Sequence, residues 1–324
     1  MTRTAGRDAV AVVSGGVGAA RFLRGLVDVV EPTRVTAVTN TGDDTELHGL
    51  HISPDLDTIT YTLAGAIDPE RGWGLSGETW TAMGALERYA AVRPDGSGAA
   101  PTWFALGDRD LATHFYRTAR LAEGATLTEV TAEIAAAWGL ELRLAPMTDR
   151  RFRTMVTIEG GEEVSFQDYF VRLRHAVPVE HIRFDHDGAQ LSPQAASALD
   201  GSGVVVIAPS NPLVSIGPIR ALPGVDDLLA RRREQVVAVS PIVGGAALKG
   251  PADRMLAELG HERSVVGVAR LYAPIAGTLV VDRTDAGVAG AVERAGMRCV
   301  VTDTVMANAA VAAALARTVL NAAG

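Results

Sequence analysis

Short, continuous apolar runs alternate with segments of helical periodicity along most of this chain. Strands are predicted in this way at residues 10–14, 34–38, 102–106, 204–208, 236–239, 279–281 and 298–302. Strands that are apolar on both faces and separated by helices are typical of a parallel sheet covered by helices on both sides. We therefore predict an α/β fold, with a Rossmann-like, doubly wound and mainly parallel sheet.

The alternation is interrupted in the middle of the chain. Residues 152–166 have the pattern of a β-hairpin, and the segments around them have helical patterns. We interpret residues 109–185 as an inserted α+β subdomain. Residues 1–108 and 186–324 together then form the Rossmann-like nucleotide-binding core.

Charge and composition exclude several classes of protein. The net charge of −8 argues against a general nucleic-acid or anionic-membrane surface. The single cysteine excludes an internal disulfide and fits a reducing compartment. The first residues lack the apolar core of a signal peptide, and no apolar run approaches the ~20 residues that span a bilayer. We expect a cytoplasmic protein that binds neither membrane nor nucleic acid.

An acidic block spans residues 36–58 and begins within the second predicted strand, with its carboxylates after the strand's end. No lysine or arginine lies within it. Such closely spaced carboxylates repel one another unless they are solvated or a cation lies among them. Oxygen ligands suit Mg²⁺, which keeps several waters and recruits substrate phosphates. The block therefore predicts a magnesium site for a phosphorylated substrate, with its carboxylates at Asp43, Asp44, Glu46, Asp55 and Asp57.

Within the block we predict that Asp43 and Asp57 hold the metal, because both lie at the ends of predicted elements. Each has a plainer alternative. Asp57 begins a predicted helix and can serve as its N-cap, and Asp43 and Asp44 can form an Asx turn. Asp55 follows a proline and is expected to fix that turn.

A glycine-rich turn follows the first predicted strand. Gly15, Gly16 and Gly18 leave backbone N–H groups bare at the start of a helix, where an anion such as phosphate is favoured. A tight turn without a ligand is the alternative. The GxxxxGK[ST] pattern of a P-loop is absent, and the dinucleotide fingerprint is broken because Arg21 stands where it requires glycine.

Other strand ends and loops carry polar or aromatic residues that suit a ligand. In an open parallel sheet, ligands bind beyond the carboxyl ends of the strands. Trp73 and Trp80 can sandwich a flat ring, with core packing as the alternative. The polar candidates named below can instead cap helices, and Lys249 can instead be an exposed surface residue. The further substrate-binding candidates are Thr58, Trp80, Asp108, Ser210, Asn211, Ser215 and Lys249.

Taken together, these motifs resemble the 2-phospho-L-lactate transferase family of coenzyme F-420 biosynthesis. They occur in order over most of the chain, and the composition rich in arginine and alanine resembles the actinobacterial branch, in which phosphoenolpyruvate provides the transferred group. The resembling segments are residues 14–21, 40–50, 53–58, 72–75, 209–218 and 240–245.

The resemblance implies a specific reaction. A guanosine diphosphate ester of lactate or enolpyruvate meets the deazaflavin Fo, whose terminal ribityl hydroxyl attacks the phosphorus next to the acid, and GMP leaves. The family also implies a homodimer. Mg²⁺ on Asp43 and Asp57 would then bridge the diphosphate, and Asp57 or Asp44 would orient the hydroxyl or accept its proton. We expect Asp57→Asn to keep the fold and to lose turnover.

Two other classes of function compete with this interpretation. Bacterial morphology factors that bind a nucleotide-sugar without catalysis resemble the chain at the glycine turn. An NAD-linked dehydrogenase is disfavoured, because the second strand ends in Thr39 and Asn40 where such a site carries a ribose-binding acid. Binding of GDP, UDP-sugars and nicotinamide cofactors would separate the three classes.

Overall fold

The computed structural model describes residues 8–323. The outer ends of the two predicted core segments, at residues 1 and 324, lie outside this range. The prediction that the first residues lack a signal peptide rests mostly on residues 1–7, which also lie outside the described range. The strands are β1 Val10–Ser14, β2 Val35–Thr39, β3 Thr45–Leu47, β4 Leu50–Ile52, β5 Arg143–Pro146, β6 Phe152–Ile158, β7 Glu163–Ser165, β8 Val179–His186, β9 Val204–Ile207, β10 Val236–Val239, β11 Ile242–Val243, β12 Ala246–Ala247, β13 Thr278–Asp282 and β14 Arg298–Thr302.

Helices connect most of these strands, and short 3-10 segments precede β2 and β10. The helices are α1 Gly16–Leu26, α2 Pro54–Leu63, α3 Thr81–Ala90, α4 Asp110–Ala122, α5 Leu127–Ala137, α6 Pro193–Gly201, α7 Gly217–Ala221, α8 Val225–Arg231, α9 Ala252–Glu258, α10 Val265–Tyr272, α11 Ala289–Arg294 and α12 Ala309–Ala322.

Seven strands form the central sheet in the order β14-β13-β10-β9-β1-β2-β5, and every neighbouring pair is parallel. The chain builds outward from β1 in one direction through β2 and β5, and then in the other direction through β9, β10, β13 and β14. This is the doubly wound order, and it confirms the predicted fold class. The order reverses between β1 and β9, and ligands bind at such a reversal in open α/β sheets.

Both faces of the sheet are buried, as the apolar strands require. Ala11 and Val13 of β1 point into one core, together with residues of α6, α8 and α10. Val10 and Val12 point into the other core, together with residues of α1, α2 and α12. Because successive side chains of a strand point to opposite faces, one run of apolar residues serves both cores.

The third strand of the sheet differs from the prediction. Residues 102–106 form bends and no strand, and the position next to β2 is taken by β5. The apolar side chains of the 102–106 segment belong to a small separate cluster, which Leu106 shares with residues of β3, β4, α3 and α4. A loop that covers a small core therefore has the same apolar signal as a strand.

The segment predicted as an insertion contributes to two sheets. Strands β7, β6 and β8 form a separate three-stranded antiparallel sheet, which confirms the predicted hairpin. Strand β5 lies in the same stretch, yet it pairs with β2 in the central sheet. The division into a core and a subdomain at 109–185 stays a prediction, and β5 ties that stretch to the core.

Candidate active site

The loops after β1 and β9 meet where the strand order reverses. The hydroxyl of Ser210 donates to the carbonyl oxygen of Gly15 at 2.8 Å. A Cβ atom on Gly18 would lie 2.2 Å from the carbonyl oxygen of Pro209, and one on Gly15 would lie 2.9 Å from Cβ of Ser215. Only glycine allows the two loops to approach this closely. The predicted glycine turn and the predicted serines therefore form one rim at the carboxyl edge of the sheet, where the strand order reverses.

Asp55 occupies the centre of this rim. The N–H of Gly16, the first residue of α1, donates to Oδ1 of Asp55 at 2.8 Å, and Asn40 donates to Oδ2 at 3.0 Å. Burial raises the pKa of Asp55 to about 6, and these two hydrogen bonds oppose the rise. Asp55 was expected only to fix a turn, but it ties α2 to the helix end that is predicted to bind phosphate.

Asp43 and Asp44 follow β2 and carry unpartnered oxygens. Oδ2 of Asp44 accepts from the hydroxyl of Ser53 at 2.7 Å and lies 3.0 Å from Nε2 of His51. Within residues 8–323, Oδ1 of Asp44 and Oδ1 of Asp43 are both buried and have no hydrogen-bond partner. Burial, reinforced by repulsion from Asp55 and Asp44, raises the pKa of Asp43 well above its usual range, and the side chains of Thr154 and Asn40 oppose the rise.

These two oxygens fit a divalent cation. A buried carboxylate without a counter-charge is costly, and a cation would supply both the missing charge and the missing ligand contacts. Mg²⁺ accepts carboxylate oxygens and fills its remaining positions with water and substrate phosphate. Asp43 and Asp44 therefore have the chemistry that the sequence predicts for the metal site.

Asp57 lies in different surroundings. Both of its oxygens accept hydrogen bonds from the guanidinium of Arg117, and its Oδ2 lies 3.8 Å from Nδ1 of His114. The side chains of Arg117 and Asp57 are only 2% and 8% exposed. Burial raises the pKa of Asp57, and Arg117 and His114 oppose that rise. Arg117 thus neutralises Asp57 without any metal.

A second group of possible ligands surrounds this ion pair. Single ligand atoms of Asp57, Asp110 and His114 lie within 4.8 Å of one another. Tyr61 donates to Asp110 at 2.5 Å, which uses one of its oxygens. Because Arg117 already balances negative charge here, a cation would stabilise Asp57, Asp110 and His114 less than it would stabilise Asp43 and Asp44. The role of Asp57 as a metal ligand stays a prediction.

The tryptophan loop does not have the predicted arrangement. The guanidinium carbon of Arg71 lies 5.3 Å from the ring centre of Trp73 and 5.1 Å from that of Trp80. The two rings meet edge to face with their centres 6.2 Å apart. Arg71 thus occupies the position that a sandwiched flat ligand would need, since cation–π contact favours a guanidinium there. Binding of a flat ring by Trp73 and Trp80 stays a prediction, and it requires Arg71 to leave this position.

Lys249 reaches this same loop from the other half of the sheet. A Cβ atom on Gly72 would lie 2.6 Å from Nζ of Lys249, so the ammonium group rests directly against the backbone. Lys249 comes shortly after β12, whereas Gly72 follows α2. The contact brings together loops from the two sides of the reversal in strand order, and it places a positive charge beside the tryptophan loop.

Asp108, another predicted substrate-binding residue, serves the local structure. The carboxylate of Asp108 accepts from the N–H groups of Thr81 and Ala82 and so caps α3. The hydroxyl of Thr79 and these N–H groups lower the pKa of Asp108 to about 2. Asp108 therefore caps α3, the helix that precedes it in the chain.

Asn211 and Thr58 complete the predicted set. Oδ1 of Asn211 accepts from the N–H of Leu213 at 2.9 Å, so this side chain closes a turn. Its Nδ2 group lies 3.7 Å from the sulfur of Met255. Thr58 is half-buried on α2, directly after Asp57.

Sequence reasoning missed Arg117 and Asn40. Arg117 had a signal: Asp110, His114 and Arg117 are spaced four and three residues apart on α4, which places them on one helical face. Asn40 had a weaker one. It is the first residue after β2, and it both donates to Asp55 and accepts from the N–H of Gly42 at 2.8 Å.

Comparison with known proteins identifies the family. The family model described as 2-phospho-L-lactate transferase CofD matches residues 10–320. The chain belongs to the CofD family. It is 42% identical to the phosphoenolpyruvate transferase of Kitasatospora aureofaciens over 96% of each chain. It is 39% identical to that of Mycobacterium tuberculosis strain H37Ra, over 84% of this chain and 86% of the relative. The resemblance inferred from the motifs is thus confirmed, and the family is one of transferases.

A solved structure supports the fold of this CofD-family chain. A Bacillus halodurans protein of the UPF0052 family superposes with a TM-score of 0.60 at 14% identity, over 96% of this chain and 98% of the other. At that identity the likeness concerns the fold alone. Among residues 8–323, none of the helices has the length and apolar character needed to cross a bilayer.

Proposed function

We propose that this protein transfers a phospho-enolpyruvyl group from its guanosine diphosphate ester to the deazaflavin Fo in coenzyme F-420 biosynthesis, releasing GMP. Relatives 42% identical are named phosphoenolpyruvate transferases, which favours the enolpyruvyl donor over the lactyl one. The observation that carries the chemistry is the pair of buried carboxylate oxygens on Asp43 and Asp44 that have no hydrogen-bond partner within residues 8–323. A cytoplasmic location and a homodimer belong to the same proposal.

The acids explain why this chemistry needs a divalent cation. A diphosphate at the start of α1 would lie near Asp55, which already accepts the N–H of Gly16. Asp43 and Asp44 would add further repulsion. Mg²⁺ bound to Asp43 would cancel that repulsion and stabilise the charge that develops on the leaving phosphate. The next N–H groups of α1, which lack intrahelical partners, would hold the phosphate oxygens.

The proton of the attacking hydroxyl needs an acceptor. The hydroxyl oxygen forms a bond to the phosphorus next to the acid, and the bond from that phosphorus to the bridging oxygen of GMP breaks. With Mg²⁺ on Asp43, Oδ1 of Asp44, which has no hydrogen-bond partner within residues 8–323, stays available to take the proton. Both oxygens of Asp57 face Arg117. We therefore assign the proton to Asp44, with Asp57 as the alternative, and general-base help of this kind contributes about 10²–10⁴ in rate.

The test is a product assay. The purified protein is mixed with Fo, the guanosine diphosphate ester of enolpyruvate or of lactate, and Mg²⁺, and the products are read by mass spectrometry. A phosphodiester of Fo together with an equal amount of GMP supports the proposal, and the product mass identifies the acid. Failure to form either product with both donors contradicts it. Thermal stabilisation by UDP-sugars, without stabilisation by GDP, would then favour a nucleotide-sugar-binding factor.

A further inference from the structure

Strand β14 forms one edge of the central sheet, and its outer side pairs with no strand within residues 8–323. The N–H of Arg298 donates to the carbonyl oxygen of Gly277 at 2.8 Å, on the side of β13. In a parallel ladder, the backbone groups of successive residues point to opposite neighbours. The N–H and C=O groups of Cys299 and Val301 therefore point away from the sheet, where another strand can pair with them.

The opposite edge of the sheet is protected. There β5 ends in Pro146, which has no N–H, and the carbonyl oxygen of Pro146 accepts from the hydroxyl of Ser192 at 2.7 Å. Proteins protect edge strands with prolines, lysines, bulges or covering segments, because an open edge pairs readily with another chain. Strand β14 contains no proline, lysine or bulge, and none of its residues is fully buried. Its edge is thus built like a strand that is to be paired.

Exposed apolar side chains lie beside this edge. Val301 is 38% exposed on the strand itself, and Val305, shortly after it, is 42% exposed. Val288 is 39% exposed and ends the 3-10 segment Arg283–Val288, which packs against β14. Together with the outward-pointing backbone groups, these side chains favour coverage of the edge by another protein chain.

The strand is complementary to itself. When two copies of β14 run antiparallel about a twofold axis at Val300, Cys299 of each copy lies opposite Val301 of the other. These are the residues whose backbone groups point outward, and opposed residues of this kind exchange two hydrogen bonds. A twofold axis at Cys299 or at Val301 would leave the other residue without a partner inside the strand. The register at Val300 therefore satisfies the whole outer side of β14.

The charges at the two ends of β14 agree with this antiparallel arrangement. Arg298 begins the strand, and Asp303, whose side chain is 63% exposed, follows its last residue. Antiparallel pairing puts the basic start of each strand next to the acidic end of the other. Arg298 then lies opposite Thr302, and no two like charges are directly opposed. A second copy thus supplies both the matching strand and the matching charges.

We propose that β14 pairs antiparallel with β14 of a second copy of this chain, so that the two central sheets form one continuous sheet. This inference rests on the homodimer in the proposed function, and it names the surface that forms it. Three strands lie between β14 and β1, which carries the glycine turn. The interface and the reaction can therefore be tested separately.

Engineered cysteines test the register. In the proposed pair the two Val300 Cα atoms lie about 4.5 Å apart, within the range of about 4.4–6.8 Å that a disulfide bridges. The two Val301 Cα atoms are offset by two residues along the strands, or about 7 Å, in addition to the distance between the strands, which exceeds that range. In a Cys299→Ser background, Val300→Cys should form a disulfide-linked dimer on mild oxidation.

Val301→Cys in the same background is the matched control. Val301 is the more exposed of the two residues, so linkage through chance collisions would favour the control. We expect it to stay unlinked under the same conditions. Electrophoresis without reductant measures both variants.

A proline tests the strand pairing without engineered thiols. Val301→Pro removes an outward N–H and keeps the bonds to β13, which use Arg298 and its alternate neighbours. Each dimer then loses two hydrogen bonds, which should raise the dimer Kd about 10- to 100-fold in analytical ultracentrifugation. Val301→Thr keeps the N–H and the branched shape, so its Kd should stay within about threefold of the unaltered protein. Thermal unfolding of each variant establishes that it is folded.

The inference and the proposed function fail in different ways. If the unaltered protein is a dimer but Val300→Cys does not link, or Val301→Pro dissociates no more readily than Val301→Thr, the interface lies elsewhere, while the homodimer and the reaction stand. Equal linkage of Val300→Cys and Val301→Cys also overturns the inference, because the strands would then have no fixed register. If the unaltered protein is a monomer at every concentration, the inference fails together with the homodimer, and the product assay still decides the reaction.

Discussion

The buried ion pair between Asp57 and Arg117 allows a quantitative test of how this site is built. Removing one partner of such a pair leaves an uncompensated buried charge, which lowers the free energy of unfolding by about 3–5 kcal/mol. Both side chains are less than 10% exposed, and the guanidinium meets both carboxylate oxygens. We therefore expect the full penalty for Arg117→Met and a similar one for Asp57→Asn.

This penalty converts into a measurable melting temperature. The entropy of unfolding is about 2.1 cal/mol/K per residue, or about 0.7 kcal/mol/K for this chain. A loss of about 4 kcal/mol thus lowers Tm by about 6 °C. The sequence-based expectation that Asp57→Asn keeps the fold needs this addition: the variant folds, but with reduced stability, because Arg117 loses its counter-ion.

The assay is differential scanning calorimetry in excess chelator, so that no cation replaces the lost charge. A double-mutant cycle adds the variant that carries both substitutions. Its loss of unfolding free energy should be about 2–3 kcal/mol smaller than the sum of the two single losses. Arg183→Met is the matched control. Arg183 pairs with Glu163 on the surface, where the two side chains are 46% and 38% exposed, and such pairs contribute about 0–1 kcal/mol. If Arg117→Met is as mild as Arg183→Met, the buried-charge reasoning is refuted.

Three further predictions follow from the same geometry. Asp43→Asn should lower transferase activity at least about 100-fold, the scale of losing a charge-stabilising group, and excess chelator should abolish activity in the unaltered protein; full activity in chelator would exclude the metal. Gly18→Ala should abolish GDP binding in calorimetry, because its Cβ would lie 2.2 Å from the Pro209 carbonyl oxygen, and unchanged GDP affinity would contradict the close approach of the two loops. The pKa of Asp108 falls from 3.8 to about 2 on folding, so its stabilising effect is complete above pH 3.8 and lost as the pH falls towards 2. The Tm difference between the unaltered protein and Asp108→Asn should therefore shrink between pH 4 and pH 2, and a constant difference would show that the carboxylate charge is not responsible.

The sequence by itself determined the sheet and the edge at which the site lies. Continuous apolar strands must be buried on both faces, so the alternation with helices led directly to a parallel sheet. Glycines and acids that follow β1 and β2 must lie at the carboxyl edge of that sheet, whatever the rest of the fold does. The match of residues 10–320 to the CofD family agrees with the order and spacing of those motifs.

Only the tertiary structure distinguished the acids from one another. Asp43 and Asp57 read alike in sequence, but Arg117, sixty residues further along, neutralises Asp57 and leaves Asp43 without a counter-charge. The same holds for the aromatic residues, since the local sequence does not show that Arg71 lies between Trp73 and Trp80. The prediction of a strand at 102–106 was wrong for a related reason. An apolar run indicates that its side chains are buried, but it does not indicate in which core. Charge compensation and packing depend on distances between atoms of residues that are remote in sequence, and only the folded structure sets those distances.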